Sequence, residues 1–577
     1  MERKDLNNKA LWLTLLGLLL AAAVLNILWL STHVAPVAAG KDAALVAIEQ
    51  VHRFEKDPGA EIYTLLRMGM RTTESWYNLS AAKTLFLFGK SYLSMVAIST
   101  LYYLALIAFT FGAAFFLGGP RAAVWAGALV ALTPAAFSWS RLFSPNIALM
   151  AFSATGLFCL AASRWWTRFA PAVGFAAVAA LSIRMGETVG DNFQLWVVFG
   201  IAVTYVLIVR FAVLRESWRR ALLVTLAAAL VFVLLTNWND VNHRFGYLWA
   251  EGVDLADSAY GAGSPSSLGA WTTYPLLLWK MHLLPPLTLA LIGAVAFLAW
   301  RRDLSAGLPW VVFIGGLLLI TLVHKKNYNY LFGFLPLAPL IIAYALAKIE
   351  NSRLQFALGG ALIGVCLVVF GYLSFVDVET TVPYGDLKSG TRAARADHIG
   401  HLIFYPKKQR EHAPTNIVRQ AVQRAQTDPK QTLWIIGDLA DTEAHTFRLP
   451  LALANWNGAL RVVDVGREFS DIAFYHRASG SEPPPPNTII CLPSMQRFFV
   501  PGGVCDSTAI FARLNADYLA GAELTEQRLY DEAAESWCRR LEQIPWETFR
   551  RREFEYLSTV PGRDLERFVV YDQPRSD

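Results

Sequence analysis

The sequence predicts a polytopic α-helical membrane protein that ends in a soluble α/β domain. Three observations carry this expectation. Apolar runs recur from Leu11 to Leu373, and roughly 20 apolar residues in a helix cross the hydrocarbon core of a bilayer. Only 17% of the 577 residues are charged, against 55% hydrophobic, where a soluble chain carries about a quarter charged. Residues 376–577 contain no such run. The expected domains are therefore a membrane module, 1–375, and a soluble module, 376–577.

The first run, 11–30, follows a short charged start. Its apolar core exceeds the roughly 7–15 residues of a signal sequence, and further spans follow, so it reads as an uncleaved first helix. A polar insert, 31–90, separates it from apolar runs at 91–117, 122–139, 147–162, 169–183, 193–209 and 221–235. A second polar insert, 236–273, precedes 274–300, 308–323, 331–347 and 356–373. That gives about eleven transmembrane helices, the segment type that satisfies its own backbone hydrogen bonds where water is absent.

Orientation follows from the Lys/Arg bias of the short loops, because cationic loops stay in the cytoplasm. With the N-terminus inside, the inner loops carry Arg121, Arg164, Arg168, Arg210, Arg215, Arg219, Arg220, Arg301, Arg302, Lys348 and Arg353. The short outer connections carry only Arg141, Arg184, Lys325 and Lys326. Both large inserts and the C-terminal domain then lie on the outer face of an inner (cytoplasmic) membrane, the domain being periplasmic or otherwise extracytoplasmic.

In that domain, β-type runs at 432–436, 461–465, 488–492 and 568–571 suggest strands separated by helical stretches, while 512–555 reads as two or three amphipathic helices. The net charge of +6 fits the loop topology, and no basic cluster interleaved with aromatics points to nucleic acid. Cys159 and Cys366 fall within spans as packing residues. Cys491 and Cys505 bracket a Pro/Gly segment; in an oxidising compartment they could pair and leave Cys538 over, but connectivity is not readable from sequence.

Ionisable groups near a membrane are costly unless they face a cavity, so they are the first candidates for chemistry. Asp42 stands about a dozen residues past the first span, ahead of the apolar run Ala43 to Ile48. It fits a reactive carboxylate at the start of a surface helix, or a plain helix N-cap. Glu74, near the return to the second span, fits a partner that shares a cation or orients an acceptor, or a solvated loop glutamate. Arg184 and Glu187 fit a local ion pair or a polar site at an outer helix end. His243, with Arg244, Tyr247 and Glu251 following, lacks the partner spacing of a metal ligand. Lys325 and Lys326 stand on the side where positive charge is disfavoured, with Tyr328 and Tyr330 behind them. They fit snorkelling anchors or a phosphate clamp, lysine supplying a point charge and tyrosine a hydroxyl donor.

Taken in order, these stretches resemble the GT-C superfamily of polyprenyl-phosphate-sugar glycosyltransferases. The branch is that of protein O-mannosyltransferases and the lipid A aminoarabinose transferase. The resemblance spans residues 11–373 and rests on weak motifs in sequence order. They are Asp42-Ala43-Ala44-Leu45-Val46-Ala47, Leu87-Phe88-Gly89 and Arg141-Leu142-Phe143-Ser144-Pro145-Asn146; then Tyr274-Pro275 with Pro285-Pro286, and Lys326 to Tyr330 ahead of Pro336 and Pro339. Ala43 stands where relatives carry Glu, Asn146 where they carry Asp, and Asn329 where they carry Arg.

The resemblance implies an inverting transferase that moves a sugar from a polyprenyl-phosphate donor in the bilayer to an extracytoplasmic acceptor. Asp42 would be the general base and Glu74 its assistant at the acceptor or a cation. Lys325 or Lys326, with Tyr328 or Tyr330, would hold the donor phosphate; Arg141, Asn146, Arg184, Glu187, His243 and Glu251 are further candidates. No cofactor is certain: the metal requirement is unknown, and a divalent cation is the one candidate. A transporter of lipid-linked saccharide, or a silent scaffold of the same fold, is the alternative reading; no internal repeat of the transporter kind is visible.

Overall fold

The computed structural model describes residues 2–33, 47–48, 51, 55–56, 76–164, 166–182, 189–209, 215, 218–235, 268–301, 307–322, 328–375, 413–427, 431–436, 451, 454–455, 460–464, 486–491, 538–539, 541–556 and 566–572. The chain divides into two compact units, Met1–Lys408 and Gln409–Asp577, where the sequence expectation set the boundary at 375/376.

The first unit is helical. Helix α1 (Glu2–His33) is followed by α2 (Trp76–Phe88), and Gly89, at a φ of +92°, turns the chain into α3 (Tyr92–Ala131). Ser91 caps α3 by accepting the Ser94 N–H at 3.1 Å, which satisfies one of the free donors of a helix start. Helix α3 is two helical arms joined at a kink, where Gly119 leaves the helical conformation (φ +80°, ψ −171°) and Pro120 starts the return. The Tyr103 hydroxyl donates to the Ala131 carbonyl at 2.6 Å, and Gly127 abuts Phe111. A straight helix would hold Tyr103 and Ala131 about 42 Å apart. The separate runs at 91–117 and 122–139 are thus two arms of a hairpin. The second arm pauses after Ala131 and resumes as the short α4 (Pro134–Trp139).

Helices α5 (Asn146–Ala162), α6 (Phe169–Ser182), α7 (Val189–Val209) and α8 (Trp218–Leu235) follow. The run at 274–300 is not one helix: α9 (Leu268–Leu277) passes into a π-helical turn, Leu278–His282, before α10 (Leu284–Trp300). Leu284 adopts a φ of +61° ahead of Pro285 and Pro286, and the prolines lack the N–H that would continue the ladder. The Thr288 hydroxyl donates to the Leu278 carbonyl at 3.3 Å, taking up an acceptor at the break.

After α11 (Gly307–Leu322) comes a 3-10 turn, Tyr328–Leu331. Helix α12 (Leu337–Ala347) begins only after Pro336, later than the expected span start at 331, and its first ten residues are buried. It packs on α3, where Tyr344 approaches Gly118. Helix α13 (Ser352–Phe375) closes the unit.

Among the described residues three helices are long and apolar enough to cross a membrane, and six shorter apolar helices accompany them. The figure of about eleven spans remains a sequence expectation. The exposed surface is that of a membrane protein: Trp12, Leu13, Leu16 and Leu20 on α1, and Phe356, Val365 and Val368 on α13, lie open. A continuous apolar face of this kind is not left to water.

The second unit contains a five-stranded sheet in the order β2-β1-β3-β5-β4, with β1 Thr432–Ile436, β2 Arg461–Asp464, β3 Thr488–Cys491, β4 Arg550–Tyr556 and β5 Glu566–Asp572. The first three are parallel; β5 runs antiparallel to β3 and β4. Helix α14 (Ala413–Thr427) buries Ile417, Val418, Ala421, Val422 and Ala425 against Leu433, Ile435, Ile490 and Val570. That helical spacing of apolar residues matches one face to the sheet.

The expectation of helices throughout 512–555 is corrected at its end, since Arg550–Tyr556 is a strand. Its charges suit the last strand of a sheet, where like-charged side chains discourage pairing with another chain. The possibility that Cys538 is left over is also corrected. Cys538 is disulfide-bonded, and Cys159 and Cys366 are free, so its partner is Cys491 or Cys505.

Candidate functional site

A cluster of buried polar residues lies on the turn between α4 and α5, Ser140 to Pro145, with Ser140, Arg141 and Ser144 among them. Four elements hold this turn. From α2, the Tyr77 hydroxyl lies 2.6 Å from Ser99 Oγ on α3. Ser99 gives its only hydroxyl proton to the Leu142 carbonyl at 2.7 Å, so Tyr77 donates to Ser99. The Tyr77 oxygen then accepts the Ser144 N–H at 2.9 Å, and its ring packs on Phe143 at 4.9 Å between centroids. Burial raises the Tyr77 pKa far above the ordinary phenol range, the Ser99 and Ser144 hydrogen bonds opposing. Tyr77 therefore serves as a neutral brace.

From α1, Asn26 donates to Thr100 Oγ1 at 2.8 Å and to the Ser140 carbonyl at 3.3 Å, while its Oδ1 accepts Arg141 Nε at 3.3 Å. From α13, Ser374 Oγ accepts an Arg141 terminal N–H at 2.9 Å, and the Ser374 carbonyl accepts the Trp29 indole N–H at 3.0 Å. The guanidinium carbon stands 4.8 Å from the Trp29 ring, 5.0 Å from Phe137 and 5.2 Å from Phe370. The chain's first and last membrane helices thus meet on one arginine.

Arg141 is 4% exposed and is the one buried arginine or lysine among the described residues. Burial lowers its pKa to about 9, the neighbouring Tyr103 opposing, so it stays cationic at neutral pH. Taking a charge out of water costs several kcal/mol unless it is paired. Aromatic faces return about 0.5–2 kcal/mol each. Asn146, at the start of α5, is buried beside the same turn; its backbone N–H reaches Ser144 Oγ at 3.4 Å.

Of the sequence candidates, Arg141 and Asn146 are therefore on one turn. Tyr330 is buried in the 3-10 turn. Tyr328 belongs to that turn by its backbone, and its side chain lies outside the described residues, as do Asp42, Glu74, Arg184, Glu187, His243, Glu251, Lys325 and Lys326. The run after Asp42 is helical and buried where it is described, at Ala47 and Ile48. No group of His, Cys, Asp or Glu able to hold a metal occurs among the described residues.

Sequence reading missed Asn26, Tyr77 and Ser374. The signal for Asn26 was present: a lone amide inside an apolar span needs a buried partner. His282 was missed too. It is fully buried in the π-helical turn, its ring edge-on to Phe332 at 5.3 Å, and neither ring nitrogen has a hydrogen-bond partner among the described residues.

No family model matches the chain, and no curated protein matches it in sequence. Solved structures share its fold, among them two of one protein. ArnT from Cupriavidus metallidurans bound to undecaprenyl phosphate superposes with a TM-score of 0.53 at 14% identity, covering 97% of this chain and 99% of that one. The apo state of the same protein gives a TM-score of 0.50 at 15% identity, covering 84% and 93%. The fold of this chain is accordingly the fold of these two structures.

Proposed function

We propose that the chain is an inverting glycosyltransferase that moves a sugar from a polyprenyl-phosphate donor to an acceptor on the extracytoplasmic face. The observation that carries this reading is the fold shared, over nearly the full length of both chains, with a protein whose structure holds undecaprenyl phosphate. The ordered motifs from Asp42 to Tyr330 add to it, and the disulfide at Cys538 suits a domain in an oxidising compartment.

In this mechanism Asp42 takes the proton of an acceptor hydroxyl. The acceptor oxygen bonds to the anomeric carbon from the side opposite the leaving group, and the carbon–oxygen bond to the lipid phosphate breaks with its electron pair going to phosphate. A lipid phosphate is already a competent leaving group, so the protein's contribution is a base, positioning and stabilisation of the developing charge. Lys325 or Lys326, with Tyr328 or Tyr330, would hold the phosphate; Glu74 would orient the acceptor.

Membranes containing the protein, supplied with a labelled polyprenyl-phosphate sugar, should transfer label to an envelope acceptor, and Asp42→Asn should reduce transfer at least a hundredfold. Robust transfer by that variant would sink the base assignment. Lipid-linked sugar crossing proteoliposomes without transfer would establish a transporter instead.

A further inference from the structure

Arg141 has five N–H groups in a planar fork, and two hydrogen bonds, to Asn26 and Ser374, are all it makes with the described residues. Several described arginines have acids: Arg301 has Glu350, Arg551 has Glu553, and Arg424 and Arg552 share Asp572. Arg141 has none among the described residues, although it is the most buried of them. Its neighbours are neutral acceptors and aromatic rings, which hold the fork in place without cancelling its charge. The fork lies toward the C-terminal ends of α1 and α13: Ser374 is one residue from the end of α13, and Asn26 is about two turns from the end of α1.

We propose that Arg141 binds a phosphate group through its unused N–H edge, with Asn26 as the residue that positions it. This deepens the reading given under Proposed function, because the phosphate it points to is that of the polyprenyl lipid. A guanidinium suits this ligand because its fork matches two phosphate oxygens at once. Asn26 suits the positioning role because its amide is tied at both ends: Nδ2 to Thr100 and Ser140, Oδ1 to Arg141 Nε. A carboxylate at position 26 would keep the shape and supply the missing counter-charge from within.

The test is binding of polyprenyl phosphate, of uncharged polyprenol and of inorganic phosphate to the purified full-length protein in nanodiscs. The wild type, Arg141→Gln, Arg141→Lys and Asn26→Asp are compared. Polyprenyl phosphate should bind the wild type at least tenfold more tightly than polyprenol does. Arg141→Gln and Asn26→Asp should erase that advantage while leaving polyprenol binding unchanged, and Arg141→Lys should keep part of it. Unchanged polyprenol binding shows that a variant is folded; if Arg141→Gln fails this control, Asn26→Asp decides.

Inorganic phosphate that binds as tightly as the lipid, and is lost in the same variants, would keep the phosphate site and assign it to a soluble ligand. Phosphate binding that is the same in Arg141→Gln or Asn26→Asp as in the wild type overturns the proposal. Arg141-dependent binding by a wild type that transfers no sugar would refute the glycosyltransferase reading and leave this one standing. Transfer unchanged in both variants would refute this one and leave the glycosyltransferase.

Discussion

Tyr77 and Ser144, 67 residues apart, are joined by a single hydrogen bond in which the tyrosine oxygen accepts the serine N–H at 2.9 Å. It fastens the helix that ends the first long insert to the turn bearing Arg141. Tyr77→Phe removes this bond and the one to Ser99, leaving the buried Ser144 N–H without its acceptor. An unsatisfied buried donor costs about 1–3 kcal/mol. The variant should unfold at lower temperature in detergent and should transfer sugar more slowly. Unchanged thermal stability would show that the turn is held by other contacts.

The value of that bond was not legible in the sequence, because Tyr77 reads as one aromatic in a polar insert and its partners lie on distant helices. Local features fared better. The Gly118-Gly119-Pro120 break marked the hairpin, since glycine allows the positive φ and proline starts a helix. The β-branched and aromatic run Thr432–Ile436 gave a strand with the expected ends. Arg550–Tyr556 did not, because its charges hide the alternation that marks a half-buried strand; antiparallel pairing with Glu566–Asp572 forms it. Asn26 and Ser374 show why the site was half visible: each is one polar residue in an apolar span, and only the fold brings them to Arg141.

His282 predicts an effect of the opposite sign from Tyr77. Both ring nitrogens are enclosed without a partner among the described residues, so a side chain of similar size with no polar atoms relieves a desolvation penalty. His282→Met should leave stability unchanged or raise it by about 1–2 kcal/mol. Thermal unfolding in detergent reads this directly. A clear loss of stability would show that the imidazole makes polar contacts that the membrane-embedded protein needs.

The disulfide at Cys538 makes a chemical prediction. Non-reducing peptide mapping of protein isolated from membranes should recover Cys538 linked to Cys491 or Cys505, with Cys159 and Cys366 as free thiols. Cys538→Ala should destabilise the C-terminal unit by about 2–5 kcal/mol. Full alkylation of Cys538 without reductant would remove both the link and the support it lends to an extracytoplasmic placement.

Asp572 ties three elements of the C-terminal unit. Its carboxylate meets Arg424 from α14 at 3.2 Å, accepts the Thr488 hydroxyl from β3 at 3.0 Å, and pairs with Arg552 of β4. The carboxylate is buried, but the side chains of Arg424 and Arg552 are 31% and 34% exposed. Solvent screens both cations, so the loss on mutation should fall below that of a fully buried pair. Asp572→Asn keeps the volume and the Thr488 contact while removing the charge, and should cost about 1–2 kcal/mol. Asp572→Ala also strands the Thr488 hydroxyl and should cost more, about 2–3 kcal/mol. Both effects should appear as increased protease cleavage of the C-terminal unit, with cleavage in the membrane unit unchanged. If the two substitutions cost the same, the Thr488 bond contributes little and the pairing of the carboxylate's charge with Arg424 and Arg552 is what holds that end of the sheet.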